Sequence, residues 1–208
     1  MDEIITELKK VHKNILKDIE RKMAEFKSPE REKIMYELFF SLLTPQSKAE
    51  LCWEAVLRMK KAGLFSDGKL NFKNIVRFLK GVRFKNKKAK YIEEAGRKMD
   101  EIYRLLNSSE NDFEIRKRLV RNVKGMGYKE ASHFMRNIGR GENFAILDRH
   151  ILRMLKSLNL IEKIPENLTE KKYLEIEDKM RKFADQIDIP LSCLDFVFFY
   201  KRTGRIFK

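Results

Sequence analysis

The residues best suited to chemistry lie between positions 123 and 148 of this 208-residue chain. Gly125-Met126-Gly127 is followed two residues later by Lys129, and Asp148 stands nineteen residues beyond that lysine. Two glycines around one apolar residue predict a tight turn, with Met126 as an inward plug. Ala131, Phe134, Met135 and Ile138 then mark the buried side of a helix that starts at once. The N–H groups of Gly125, Gly127 and the first turn of that helix are expected to be unpaired and to point outward. That arrangement is an anion site of the kind phosphates occupy, with Lys124 adjacent. Any one lysine by itself reads as a solvated surface charge; the spacing to the glycines and to Asp148 is what singles out Lys129.

The charge of the whole chain points the same way. Forty-six Lys and Arg against thirty-one Asp and Glu give a net charge of +15, which attracts polyanions, nucleic acid first and an anionic membrane next. The opening residues "MDEIITELKK" are charged, and no apolar run approaches the roughly 20 residues that span a bilayer. A soluble, cytoplasmic (nucleoid-associated) protein with no membrane partner is therefore expected. Cys52 and Cys193 lie far apart in apolar helical contexts and read as reduced core residues, too few for a four-cysteine cluster. His133 and His150 have no paired metal-ligand spacing and read as structural, so no metal site is expected. Two Gln beside 37% charged residues point to a thermophilic source.

The elements that must position these residues are helical throughout. Ile4, Ile5, Leu8, Val11, Ile15, Ile19 and Met23 recur at three- and four-residue steps and predict a long first helix. Ser28 as N-cap and Pro29 at the first helical position open a second, carrying Ile34, Leu38, Phe39, Leu42 and Leu43. Ser47 is read as the cap of a third helix ending at Gly63, "SDGK" (66–69) as a turn, and Asn71 as the cap of a short fourth. One helix is expected from the segment starting at 82, and others at 112–122, 128–138, 148–159, 169–186 and 190–203. "FVFFY" (196–200) is β-like in propensity yet fits a helical apolar stripe after Pro190. The fold class predicted is all-α, from nine or ten helices.

These residues carry a resemblance. "VKGMGYKEA" resembles the helix-hairpin-helix of DNA glycosylases, usually Leu-Pro-Gly-Val-Gly-x-Lys-x-Ala, and "FAILDRHILRM" looks like that superfamily's aspartate segment. "LLTPQSKAE" (42–50) is similar to the segment that inserts a glutamine into the DNA helix, and "VRFKNKKAKYI" (82–92) to the segment bearing a wedge residue. The absence of cluster cysteines and the ending "TGRIFK" look like the small, second type of 8-oxoguanine DNA glycosylase/lyase. The chain departs from that type at Phe199, where the type carries tryptophan, and at Val123-Lys124, where the hairpin usually opens Leu-Pro.

The resemblance implies two helical subdomains flanking a DNA-binding cleft, one from residues 1–42 and 150–208 and one from 43–149, with the helix-hairpin-helix at about 112–139. It implies Lys129 as Schiff-base nucleophile and Asp148 as its catalytic partner, while Gly125, Gly127 and Lys124 grip the DNA backbone. Gln46 and Phe84 would fill the space of a flipped base, and Phe199 and the terminal Lys208 would recognise that base. Asp148 also suits an N-cap. To attack, Lys129 must shed its proton, which the positive end of its helix and basic neighbours favour. The run "RFKNKKAK" is read as a phosphate-gripping stripe led by Phe84. A monomer acting on double-stranded DNA with an oxidised purine is expected, without cofactor apart from a monovalent cation at the hairpin carbonyls. The rivals are a glycosylase of the same superfamily for another lesion, a non-catalytic DNA-gripping module, and an RNA-binding protein.

Overall fold

The computed structural model describes residues 2–27, 30–66 and 68–206. Eleven α-helices run through them, and no strand occurs among the described residues. The eleventh helix arises because the stretch expected as one helix is two, α5 (Lys85–Arg97) and α6 (Met99–Leu106), with Lys98 between them at φ −96°, ψ 8°. The chain divides into two compact units, Pro29–Phe134 and Met1–Ser28 with Met135–Lys208. The boundaries thus fall at 28/29 and 134/135, where the sequence suggested 42/43 and 149/150.

In the Pro29–Phe134 unit, α2 (Arg31–Leu43) is the buried centre: every residue from Tyr36 to Leu43 is buried, the polar Glu37 and Ser41 included. It packs against α3 (Ala49–Lys61) and α5, which is why it belongs to this unit, and α4 (Phe72–Phe78) packs against α3 and α5. Phe40 meets Trp53 edge-on at 5.5 Å and the His133 ring at 5.4 Å, so His133 is a core residue, as the sequence suggested. The α2 N-cap is Glu30, and the helix begins at Arg31; the Ser28 and Pro29 start signal lies outside the described residues, as do Asp67 of "SDGK", Phe207 and Lys208. Asn71 caps α4 as predicted, accepting the Asn74 N–H. Ser47 does not cap α3, whose N-cap is Lys48; its hydroxyl is taken by Arg83 and Lys88 instead. The unit continues through α7 (Asp112–Asn122) into α8 (Tyr128–Asn137).

The other unit pairs α1 (Asp2–Phe26) with α11 (Leu191–Thr203), and α11 also packs on α9 (Arg149–Ser157) and α10 (Glu170–Gln186). Leu8, Ile15 and Ile19 from the predicted stripe are buried in α1. "FVFFY" is helical within α11, its burial pattern set by packing on three partners. Cys52 and Cys193 are free and buried. No described helix is long and apolar enough to cross a membrane.

Candidate active site

The hairpin between α7 and α8 follows the sequence reading in its backbone. The Met126 N–H bonds Val123 O at 3.2 Å to close the turn, and Val123 and Met126 are buried beneath it. Gly125 sits at φ +86°, and a Cβ there would meet the Tyr91 ring of α5 at 2.2 Å, so glycine is required twice over. The two legs are tied by Arg116 of α7, which is buried, donates to Ser132 Oγ at 2.9 Å and stacks 5.1 Å from the Tyr128 ring.

The electrostatics of the turn differ from expectation. Gly127 N–H is not unpaired: it donates to Glu130 Oε2 at 3.1 Å, because the acid in the first turn of α8 reaches back as in a capping box. A carboxylate therefore already occupies part of the anticipated anion site. Lys129 leaves the same first turn with its side chain 21% exposed, its Nζ 3.6 Å from Glu130 Oε1 and donating to Thr44 Oγ1 at 3.2 Å. Thr44 is held in turn by donating to Ser41 O at 2.9 Å. Lys124 is exposed, 4.0 Å from Glu94.

Gln46 and Phe84 share an unusual backbone. Both are exposed, and they are two of the four non-glycine residues with positive φ among those described, at 54° and 56°. Gln46 is the third residue of a β-turn closed by Ser47 N–H to Thr44 O at 3.0 Å, with Pro45 before it. Phe84 is the N-cap of α5 in the left-handed region, 55% exposed, with the Arg83 guanidinium 5.5 Å from its ring. Behind it, Lys85, Lys87 and Lys90 face solvent, but Lys88 does not. The basic stripe read from "RFKNKKAK" is interrupted there: Lys88 is 4% exposed and turned into the unit.

Asp148 lies in the other unit and caps α9, its Oδ1 accepting the N–H groups of His150 at 2.7 Å and Ile151 at 2.8 Å. The segment leading to it is pinned by α10. Glu177 Oε1 accepts the Ala145 N–H at 2.9 Å; Tyr173 OH donates to Ala145 O at 2.6 Å and accepts from Leu147 N at 3.4 Å. Asp195 of α11 is close enough to Asp148 to feel its charge. Burial pushes the Asp195 carboxyl upward, Asp148 adds to that, and Arg136, 3.6 Å away, opposes it. His150 carries the Arg202 guanidinium against its ring, and burial first, then Arg202 and Arg153, pull its pKa down against the pull of Asp148. Phe199 is half-buried, with Arg202 5.9 Å from its ring. Among the described residues, no cluster of three or more His, Cys, Asp or Glu side chains could hold a metal ion.

Sequence reasoning missed Thr44, Glu130, Tyr173, Glu177, Lys88 and Asp195. Only Glu130 had a local signal, its place three residues after Gly127.

The comparisons with known proteins agree with one another. A family model described as 8-oxoguanine DNA glycosylase matches residues 19–189. The chain is 43% identical to the 8-oxoguanine DNA glycosylase/AP lyase of Fusobacterium nucleatum, over all of this chain and 99% of that protein. To the same-named protein of Methanocaldococcus jannaschii it is 39% identical over 99% of each. A crystal structure of the M. jannaschii glycosylase/lyase in complex with a 15mer DNA containing 8-oxoguanine superposes with a TM-score of 0.86, at 38% identity over 99% of both chains. The Thermotoga maritima 8-oxoguanine DNA glycosylase superposes at 0.89, with 33% identity and both chains covered in full.

Proposed function

The chain belongs to the 8-oxoguanine DNA glycosylase family, and from that premise we propose that it excises 8-oxoguanine from duplex DNA and nicks the abasic strand, with Lys129 as nucleophile. The observation that carries the assignment is the seat of that lysine: a largely buried amine in the first helical turn after the glycine hairpin, touching the Thr44 hydroxyl.

A base inside a duplex is out of reach, so the damaged nucleotide is extruded at a cost of a few kcal/mol. Gln46 and Phe84 fill the space it leaves, and Phe199 and the terminal Lys208 contact the extruded base. Gly125, Gly127 and Lys124 hold the backbone, a phosphate oxygen exchanging with Glu130 at the Gly127 N–H. The deprotonated Lys129 Nζ attacks C1′ while the glycosidic bond breaks; the base leaves with the bonding pair and takes up a proton. Asp148 offsets the positive charge that develops on the sugar. The sugar ring opens to a protonated imine, loss of a C2′ proton follows, and the 3′ phosphate departs by β-elimination. The hairpin carbonyls are hard oxygen donors suited to a monovalent cation, which would supply charge beside the gripped phosphate; no step above runs through it. The protein acts as a monomer.

Single-turnover excision from a duplex with one 8-oxoguanine tests the assignment. Lys129→Gln is expected to abolish excision and nicking together. Asp148→Asn keeps a good N-cap and is expected to slow excision by roughly 10²-fold or more. No excision by the wild type, with DNA binding unchanged in Lys129→Gln and lost in Gly125→Ala, would mark a DNA-gripping module instead.

A further inference from the structure

Lys88 is a buried cation that the mechanism above does not use. It lies one turn into α5, four residues after Phe84, and its Nζ donates to Leu43 O at 2.6 Å, Pro45 O at 2.7 Å and Ser47 Oγ at 3.0 Å. An ammonium has three donors, and all three are spent on one five-residue turn. That turn carries Gln46 at its exposed tip. A fourth bond ties the same two segments, from the Arg83 N–H to Ser47 Oγ at 3.0 Å. Burial depresses the Lys88 pKa, an energetic penalty that charge-assisted bonds to three oxygens offset. An apolar side chain would fill this position more cheaply if packing were its only task.

We propose that Lys88 is a positioning residue that clamps the Gln46 turn to the Phe84 turn, so that the two residues enter the DNA helix as one rigid unit. The clamp rests on the reading of Gln46 and Phe84 as the inserting pair. It explains how two left-handed, non-glycine residues from segments about forty positions apart in sequence are held in strained conformations together. Thr44, the partner of Lys129, belongs to the clamped turn as well, so the clamp also fixes the spacing between insertion and nucleophile.

The test uses the full-length protein and two substrates. One is a duplex in which 2-aminopurine beside the 8-oxoguanine reports extrusion; the other is a single-stranded abasic oligonucleotide, whose β-elimination needs no helix insertion. Lys88→Met is expected to slow extrusion roughly 10- to 100-fold, the scale of a misplaced positioning group. It should leave elimination on the single strand within about threefold, and add little to a Gln46→Ala/Phe84→Ala double variant, as residues of one unit do. Ser47→Ala, which removes one shared acceptor without emptying the site, should shift extrusion the same way by less, and decides the matter if Lys88→Met does not fold. Normal extrusion in Ser47→Ala and Lys88→Met, while Gln46→Ala and Phe84→Ala lose it, would overturn the clamp alone. Equal losses on both substrates would also overturn it, as a general structural role. Normal extrusion in Gln46→Ala and Phe84→Ala would overturn the insertion reading and the clamp with it.

Discussion

At the hairpin the left-handed position is filled by Gly125, at φ +86° under the Tyr91 ring; at the two turns proposed to enter the DNA it is filled by Gln46 and Phe84, both exposed. The hairpin turn is covered by packing and has no room for a side chain. The Gln46 and Phe84 turns leave their side chains exposed, and the chain tolerates about 1 kcal/mol or more of backbone strain at each. The two solutions meet at α5, where Phe84 is the N-cap and Lys88 and Tyr91 follow about one and two turns later. One helix therefore follows Phe84, bonds the Gln46 turn through Lys88 and covers the hairpin glycine. Conformational freedom is supplied by glycine where backbone must be packed, and by surrounding bonds where a side chain must project.

The sharpest way to break this comparison is to exchange the residue types. Gly125→Ala forces both a disfavoured φ and a collision with Tyr91, and is expected to cost about 2–5 kcal/mol in denaturant unfolding. Adding Tyr91→Ala should recover part of that loss. Phe84→Gly should do the opposite: with the ring half in solvent, relief of the left-handed strain leaves stability unchanged or up to about 1 kcal/mol higher, while excision from duplex DNA falls. A loss of stability in Phe84→Gly comparable to that of Gly125→Ala would dissolve the distinction.

A smaller effect concerns the Asp148 segment, which neither glycine nor strain supports. Tyr173→Phe removes a hydroxyl that bonds both Ala145 O and Leu147 N. It should cost about 1–2 kcal/mol and slow excision without altering borohydride-independent DNA binding. The smallest effect is a pH slope at His150. Its folded pKa lies below its ordinary 6.5, so the folded state favours the neutral ring. That contribution is complete above the unfolded value and is lost as pH falls through the lower folded one, as the ring charges against Arg202. His150→Gln should flatten this part of the acid limb in thermal melts taken between pH 7 and 4.5.

What the sequence revealed, and what it concealed, divides by range. Stripes such as Leu8, Ile15 and Ile19, the α4 cap Asn71 and the turn at Gly125 are local patterns and could be read directly. The role of Asp148 as cap of α9 was legible for the same reason. Lys88 bonds acceptors more than forty residues away, and Tyr173 and Glu177 bonds reach 26 to 32 residues, so no local spacing announces them. Ser47 looked like a cap because its type fits one; Arg83 and Lys88, distant in sequence, claimed its hydroxyl. Gln and Phe carry no left-handed preference, so the backbone shared by residues 46 and 84 had no signature at all.

The most direct measurement is borohydride trapping of the wild-type protein and Lys129→Gln on a duplex carrying a single 8-oxoguanine, with an abasic duplex alongside. A covalent protein–DNA adduct on both substrates, present in the wild type and absent in Lys129→Gln, is the predicted result. An adduct that persists in Lys129→Gln, or none from wild type on either duplex despite binding, would contradict the lysine mechanism.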